Sequence, residues 1–375
     1  MFDQLDDPTP PTFDSTHRRG VRARVRSRQR RRLAVGGAAG AVVLGVAGVT
    51  ARAAYRLDDV RRLDVAGLEQ ADLADSRPVT VLLLGTDGGS PLDGDDAGAE
   101  RADGRVLTDT MVLARIDPAA GAIRLLSLPR DLDVTTDGEP VRRLNSVSAD
   151  EGIDGLVAEV DRLGFPVDHV VIVDFVGFRD LVDAVGGIDV AVTSPLRDRM
   201  SGLDIDTAGC RHLDGPQALA LARARHLERF DGAGWVADGT GDLGRMSRQR
   251  ALLWAAFADL GDQVPNPFTA DRLAGWAQEH LTVDAGLGTA ELVGLIRTAA
   301  AIDPGRVTSA DLPVQAANRG GAAVLELLDH GAVVDWFAQG APQPSSGTAT
   351  TTPGADGSGT PGGAVLHDAD LLGPC

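Results

Sequence analysis

Lysine is absent from this chain, and all 36 basic side chains are arginines. Nucleotide bias and anion chemistry would each produce that pattern, and composition alone does not separate them. Cysteine is nearly absent too. Cys210 and Cys375 are the whole complement, which excludes a cysteine metal cluster and a paired-cysteine redox motif. The sequence holds no GxSxG, no GxxxxGK[ST] and no HExxH. The serine-hydrolase elbow, the phosphate loop of nucleotide-binding proteins and the two-histidine zinc helix all lose their signatures. Seven histidines (17, 169, 212, 226, 280, 330 and 367) show no paired metal spacing and are expected to be structural or incidental.

Long apolar runs are scarce, and the single clear one is informative. Leu33 to Ala51 is nineteen residues without a charge, about enough to cross a bilayer core of roughly 30 Å. It is expected to be a transmembrane helix. A cleaved signal peptide is the rival reading, but the run exceeds the usual apolar region of about 7–15 residues and no clean A-x-A site follows. Nine arginines precede it between positions 18 and 32. The excess of arginine on that side assigns residues 1–32 to the cytoplasm and residues 52–375 to the outside. Anionic headgroups explain the basic stretch more simply than nucleic acid does. Beyond residue 51 the balance reverses, with 27 arginines against 50 acids, a net of −23. The outside location permits a disulfide between Cys210 and Cys375; free or intermolecular thiols are equally allowed.

With 375 residues and 43% apolar side chains, the chain can bury a sizeable core. Residues 52–78 are charged and helix-compatible and suit a stalk. From Val79 apolar runs alternate: Val79–Leu84, Met111–Ile116, Ile123–Leu126, a helix-like Ile153–Leu163, then Val170–Val173, Phe178–Val185 and Ile188–Val192. The alternation argues for an α/β domain over 79–338, its central sheet covered by helices. Pro216–Ala222, Arg245–Leu260, Ala290–Ala301 and Ala323–Phe337 have helical spacing. From residue 339 to 375 proline, glycine, serine and threonine dominate, a composition expected to be disordered.

Four segments put arginine and aspartate at predicted strand ends, the rim where ligands bind α/β sheets. "LLLGTD" ends in Asp87 and "TDTM" contains Asp109. Two such carboxylates suit a partly hydrated Mg²⁺ held jointly with phosphate oxygens; taken singly, one opens a glycine-rich turn and the other caps a loop. In "SLPRD", Pro129 favours a rigid loop presenting Arg130 and Asp131. The plain alternative is a surface ion pair. In "LDGPQALALARARH", Asp214 caps a helix whose end carries Arg223 and Arg225. Those two can reach one ligand only if the helix ends near Ala222 and the chain then runs extended. "GDLGRMSRQR" opens a helix with Arg245, Arg248 and Gln249 on one face, and a helix N-terminus bearing arginines is an anion site. Asp242 either orients one of these arginines or caps the helix. Five or more converging arginines in an acidic domain point to a multiply charged anion such as a pyrophosphate.

This ordered set, with "RLNSVSADEG" and "VDHVVIVDFVGFRDLVDAVGGIDV" between, resembles the LytR-CpsA-Psr family across residues 79–260. The resemblance implies a three-layer α-β-α domain with a central mixed sheet. It implies an extracytoplasmic phosphotransferase that moves a glycopolymer from a polyprenyl pyrophosphate carrier to peptidoglycan with Mg²⁺ assisting. By matching position, Arg130, Arg223, Arg225, Arg245 and Gln249 would bind the pyrophosphate. Asp87 and Asp109 would serve the metal, Asp131 would act beside Arg130, and Asp242 would position arginines. Leu107 stands where the family often has arginine, and Arg143, Leu144 and Asn145 replace the usual Lys-Ile-Asn. A binding-only protein and a lipid pyrophosphatase of the same fold are the alternatives. A regulator acting on nucleic acid is disfavoured, since thirty-odd cytoplasmic residues hold no recognisable DNA-binding fold.

Overall fold

In the computed structural model the described residues are 52–69, 77–86, 108–239, 244–252, 255–256, 267–340 and 372–373. The expected transmembrane span, the basic segment before it and most of the tail lie outside them. Among the described residues no helix is long and apolar enough to cross a membrane.

The described residues from Ala53 onward belong to one compact unit. Its strands are β1 (Arg61–Leu63), β2 (Val79–Thr86), β3 (Thr108–Asp117), β4 (Ala122–Ser127), β5 (His169–Asp174), β6 (Ile188–Val192), β7 (Leu196–Asp198) and β8 (Leu203–Ile205). They continue with β9 (Gly209–Leu213), β10 (Glu228–Phe230), β11 (Trp235–Ala237), β12 (Leu281–Asp284), β13 (Val307–Asp311), β14 (Val314–Arg319), β15 (Ala322–Leu327) and β16 (Leu372–Gly373). The helices are α1 (52–58), α2 (Leu144–Arg162), α3 (Phe175–Val185), α4 (Gly215–Arg223), α5 (244–252), α6 (Pro267–His280), α7 (Thr289–Ala300) and α8 (Gly331–Gln339).

Seven strands form the central sheet in the order β1-β12-β5-β2-β3-β4-β13. It is mixed: β2 runs parallel to β5 and antiparallel to β3, and β4 runs parallel to β13. Both faces are covered, which is why its strands read as near-continuous apolar runs. On β2, Leu82 and Leu84 pack with α2 and with Trp336 and Phe337 of α8. Val79 and Val81 instead join Ala277 of α6 and Leu292 and Leu295 of α7. The period of two along one strand thus separates two cores, and the layers are helix, sheet, helix. A third core lies between α3, α4, α5 and strands β6 to β9.

Several expectations need correction. The apolar run Phe178–Val185, between two strands, is helical: it lies in α3, whose N-cap Asp174 accepts from Gly177 N–H. The helix expected over Ala323–Phe337 is a strand followed by a helix. Gly320 and Gly321, with φ of 61° and 91°, make a two-residue turn that pairs β14 with β15 before α8 begins at Gly331. Where the expected stalk is described, it belongs to the domain: β1 pairs with β12, Val60 is buried, and Arg56 donates to Asp271 O at 2.8 Å. Arg245, Arg248 and Gln249, expected to share an anion-facing helix surface, are all buried, at 2%, 1% and 8% exposure, and Arg248 is bonded to Ala224 O. Of the tail, Leu372–Gly373 is described and pairs with β6. Cys210 on the neighbouring β9 is disulfide-bonded.

One buried polar cluster ties the sheet to α7. His169 Nδ1 lies 3.1 Å from Asp284 and its Nε2 lies 3.3 Å from Glu291. Burial opposes the imidazolium, but the bond and charge of Asp284, with Glu291 and Asp168, raise the His169 pKa. Burial likewise opposes the Asp284 carboxylate, yet His169 and the N–H groups of Val170 and Leu287 hold its pKa below the usual range.

Candidate functional site

The site lies on the rim where β2 and β5 end and β3 begins. Thr86 pairs with Thr108 on one side and Asp174 on the other. A Cβ at Gly85 would sit 2.8 Å from Thr110 Cβ, so the glycine of "LLLGTD" makes room for Thr110. Thr110 in turn donates to Gln249 Oε1 at 2.8 Å.

Asp109, in β3 and 8% exposed, faces arginines from two other segments. Its Oδ1 accepts from Arg130 Nη1 at 2.8 Å, and its Oδ2 lies 4.0 Å from Arg225 Nη2. Arg130 Nε lies 3.5 Å from Asp131 Oδ2, and Asp131 Oδ1 lies 3.7 Å from Arg143 Nη1. Charges therefore alternate along Arg225, Asp109, Arg130, Asp131 and Arg143. Among the described residues the row sets three guanidiniums against two carboxylates, with a guanidinium at each end.

Local structure explains why Arg130 holds its place. Leu128 N–H donates to Met111 O, Leu132 N–H closes a turn on Pro129 O at 3.1 Å, and Arg130 O accepts from Asn145 N–H at 3.0 Å. Behind it, the β14–β15 hairpin bonds Asp133 N–H and Asp131 O through Leu325, and Arg143 Nη2 reaches Ala323 O.

The second arginine segment follows α4, which Asp214 and Gln217 cap reciprocally. The helix stops at Arg223 and Ala224 is extended, the condition required for Arg223 and Arg225 to serve one ligand. Ala222 and Ala224 are buried while Arg223 and Arg225 are exposed. The Arg223 guanidinium lies over the Phe175 ring at 5.5 Å, a cation–π contact that still leaves it accessible.

On α5, Arg245 is 2% and Gln249 8% exposed. Gln249 spends both ends of its amide inside the protein: Oε1 on Thr110, and Nε2 on Ala222 O at 3.1 Å. Arg250 is tied to Ser127 Oγ at 2.8 Å and to Asp311, which docks α5 on the sheet rim. Asp109, Arg130, Asp131 and Arg225 thus form one network, and Gln249 joins it one residue away at Thr110. Asp87, Asp242 and Leu107 lie outside the described residues. Arg143, through its contact with Asp131, and Thr110 enter the site unforeseen by reasoning from residue type. A threonine in a strand carries no sequence signal of a site.

A Mg²⁺ ion takes one or two carboxylates together with substrate phosphate oxygens. Among the described residues no group of three or more His, Cys, Asp or Glu side chains could hold a metal. Asp109 fits the requirement as a single ligand.

The sequence profile of the LytR_cpsA_psr family matches residues 47–334. The chain is 32% identical over 197 residues to the polyisoprenyl-teichoic acid--peptidoglycan teichoic acid transferase TagU of Bacillus mycoides, covering 52% of this chain and 57% of that protein. It is 29% identical over 251 residues to the transferase TagV of Bacillus subtilis, covering 63% and 58%. The chain spans less than two thirds of the length of these relatives. Among solved structures, the LytR-Csp2A-Psr enzyme from Actinomyces oris superposes with a TM-score of 0.58 at 28% identity, covering 74% of this chain and 96% of that one. TagT bound to LI-WTA shares the fold, with a TM-score of 0.55 at 22% identity and coverage of 74% and 98%.

Proposed function

This chain belongs to the LytR_cpsA_psr family, and on that premise we propose that it transfers a glycopolymer from a polyprenyl pyrophosphate carrier to peptidoglycan, outside the cytoplasm. The observation that carries this reading is the alternating row from Arg225 through Asp109 and Arg130 to Arg143. A pyrophosphate diester needs several fixed donors at once, and an arginine fork supplies two each.

In the proposed reaction an acceptor hydroxyl oxygen attacks the phosphorus that carries the glycan. The new O–P bond forms as the bridging P–O bond breaks. Polyprenyl phosphate leaves with the bonding pair, and the hydroxyl proton passes to a base. Such a transition state spreads charge over phosphoryl oxygens, so positioned cations do most of the work. Arg130, Arg223 and Arg225 bind the pyrophosphate; Arg245 and Arg143 add positive potential. Asp109 and Asp131 hold the guanidiniums in register. Mg²⁺, held by Asp109 and by phosphate oxygens, with Asp87 as the second carboxylate, would supply further neutralising charge.

The test uses full-length protein in detergent, a polyprenyl pyrophosphate-linked glycan and peptidoglycan. Wild type is expected to release polyprenyl phosphate and label the peptidoglycan. Arg130→Ala and Arg225→Ala are expected to lose about ten- to hundredfold of that rate, the worth of one charge-assisted contact. Folded variants that transfer at the wild-type rate refute the site. Release without labelled peptidoglycan refutes transfer.

A further inference from the structure

The segment that carries Arg223 and Arg225 lies in neither helix nor strand beyond Arg223, so its course is set by what its backbone bonds to. Three buried side chains from two other elements supply those bonds. Gln249 Nε2 donates to Ala222 O at 3.1 Å. Arg248 Nη2 donates to Ala224 O at 2.6 Å. Asp198 Oδ2 accepts from His226 N–H at 2.9 Å. Carbonyls 222 and 224 and amide 226 are held from beneath, while the intervening residues 223 and 225 are exposed.

Neither Arg248 nor Asp198 is open to a ligand, each being 1% exposed. Arg248 is itself fixed by Asp238 Oδ2 at 3.5 Å, and Asp238 N–H donates to Leu227 O. Asp198 is fixed by the turn after β7, where its Oδ1 accepts from Met200 N–H at 2.8 Å and Ser201 N–H at 3.3 Å. Burial works against a charge there. The N–H groups of His226, Met200, Ser201 and Arg225 nonetheless hold the Asp198 carboxyl below the usual carboxylate range.

We infer that Asp198 and Arg248 are positioning residues for Arg223 and Arg225: they grip the arginine-bearing backbone from the core and so set where two guanidiniums meet one anion. This rests on the reading of the rim as a pyrophosphate site. A side chain that held only the fold would lower stability without altering the arginines' joint grip on a ligand.

The experiment measures binding of geranyl pyrophosphate to the full chain in detergent, with amide hydrogen exchange over residues 222–227. Variants are Asp198→Asn, Arg248→Met, Arg248→Lys and Arg223→Ala/Arg225→Ala, each checked for folding by circular dichroism. Asp198→Asn preserves shape, so it remains usable if Arg248→Met fails to fold. The expected result is about tenfold weaker binding for Asp198→Asn and Arg248→Met, the loss of one buried bond, with faster exchange at His226. Arg248→Lys should recover part of the loss. In the Arg223→Ala/Arg225→Ala background, Asp198→Asn should cost nothing further. Wild-type binding by Asp198→Asn and Arg248→Met while Arg223→Ala/Arg225→Ala loses it overturns the inference, as does an equal loss in the arginine-free background. If wild type and Arg223→Ala/Arg225→Ala bind alike, the pyrophosphate reading fails instead. Exchange alone then judges the grip: faster exchange upholds it, an unchanged rate overturns it.

Discussion

Replacing Asp109 by asparagine separates two effects of opposite sign. The side chain lies 2.8 Å from Arg130 and 4.0 Å from Arg225. A short charge-assisted bond is worth about 1.5–3 kcal/mol. The longer contact adds at most a few tenths, because the Arg225 side chain is 44% exposed and solvent screens it. Losing both would let two guanidiniums drift from the phosphate-binding geometry, at a cost of about 2–3 kcal/mol in the transition state, or roughly thirty- to two-hundredfold in rate. Against this, removing a carboxylate favours any anion nearby by roughly 1 kcal/mol at water-like dielectric. Ground-state binding has loose geometric demands and profits from the added charge; transfer has strict ones. Asp109→Asn should therefore bind geranyl pyrophosphate as tightly as wild type or slightly tighter, while kcat for polyprenyl phosphate release falls by the factor above. Titrating Mg²⁺ in the same assay adds a second discriminator. If the loss of rate is recovered at high Mg²⁺, Asp109 acts chiefly on the metal. If kcat is unchanged, or binding weakens as much as kcat falls, the argument from arginine positioning is refuted.

The His169–Asp284 pair should give stability a two-sided pH profile. The raised His169 pKa contributes stability present below about 6.5 and lost as pH rises through the folded value. The lowered Asp284 pKa contributes stability present above about 3.9 and lost as pH falls through its folded value. Urea midpoints from about pH 2 to 9 should show both flanks, and His169→Gln should flatten the alkaline one. Gly85→Ala should destabilise by about 1–3 kcal/mol through overpacking against Thr110; an unchanged melting temperature would count against the close approach. Replacing Gly320 and Gly321 by alanines, at positive φ, should cost about 2–4 kcal/mol, whereas Asn-Gly should be tolerated; thermal melts decide. Native protein treated with an alkylating agent before reduction should show no label on Cys210, and a labelled Cys210 would contradict the bonded state.

How much of this was legible beforehand differs from element to element. Val79–Leu84, Met111–Ile116, Ile123–Leu126 and Val170–Val173 lie inside observed strands, because a strand buried on both faces is a near-continuous apolar run; Arg115 and Arg124 interrupt it only with bonds to Thr80 Oγ1 and Phe337 O. Asp214 and Pro216 announced α4 since capping is local chemistry. The hairpin turned by Gly320 and Gly321 was equally local, a pair of glycines at a two-residue turn; the helical spacing that follows it masked it. Strands β7 to β11, three to five residues each, carry too little pattern to be read.

For the site, sequence by itself determined which residues could bind an anion. Arginine and aspartate at strand ends, and a proline stiffening "SLPRD", are chemical facts that need no partner. What only the tertiary structure decided is which of them act together and which are spent inside. Arg245, Arg248 and Gln249 lie on one helix and all three are buried, Arg248 turned against Ala224 O and Gln249 against Ala222 O. Arg225 and Arg130, 95 positions apart in sequence, share Asp109. Helical periodicity fixes only the angle between neighbours on one element. The partner that claims each guanidinium comes from another element, brought there by burial of three apolar cores, and no local pattern encodes that encounter.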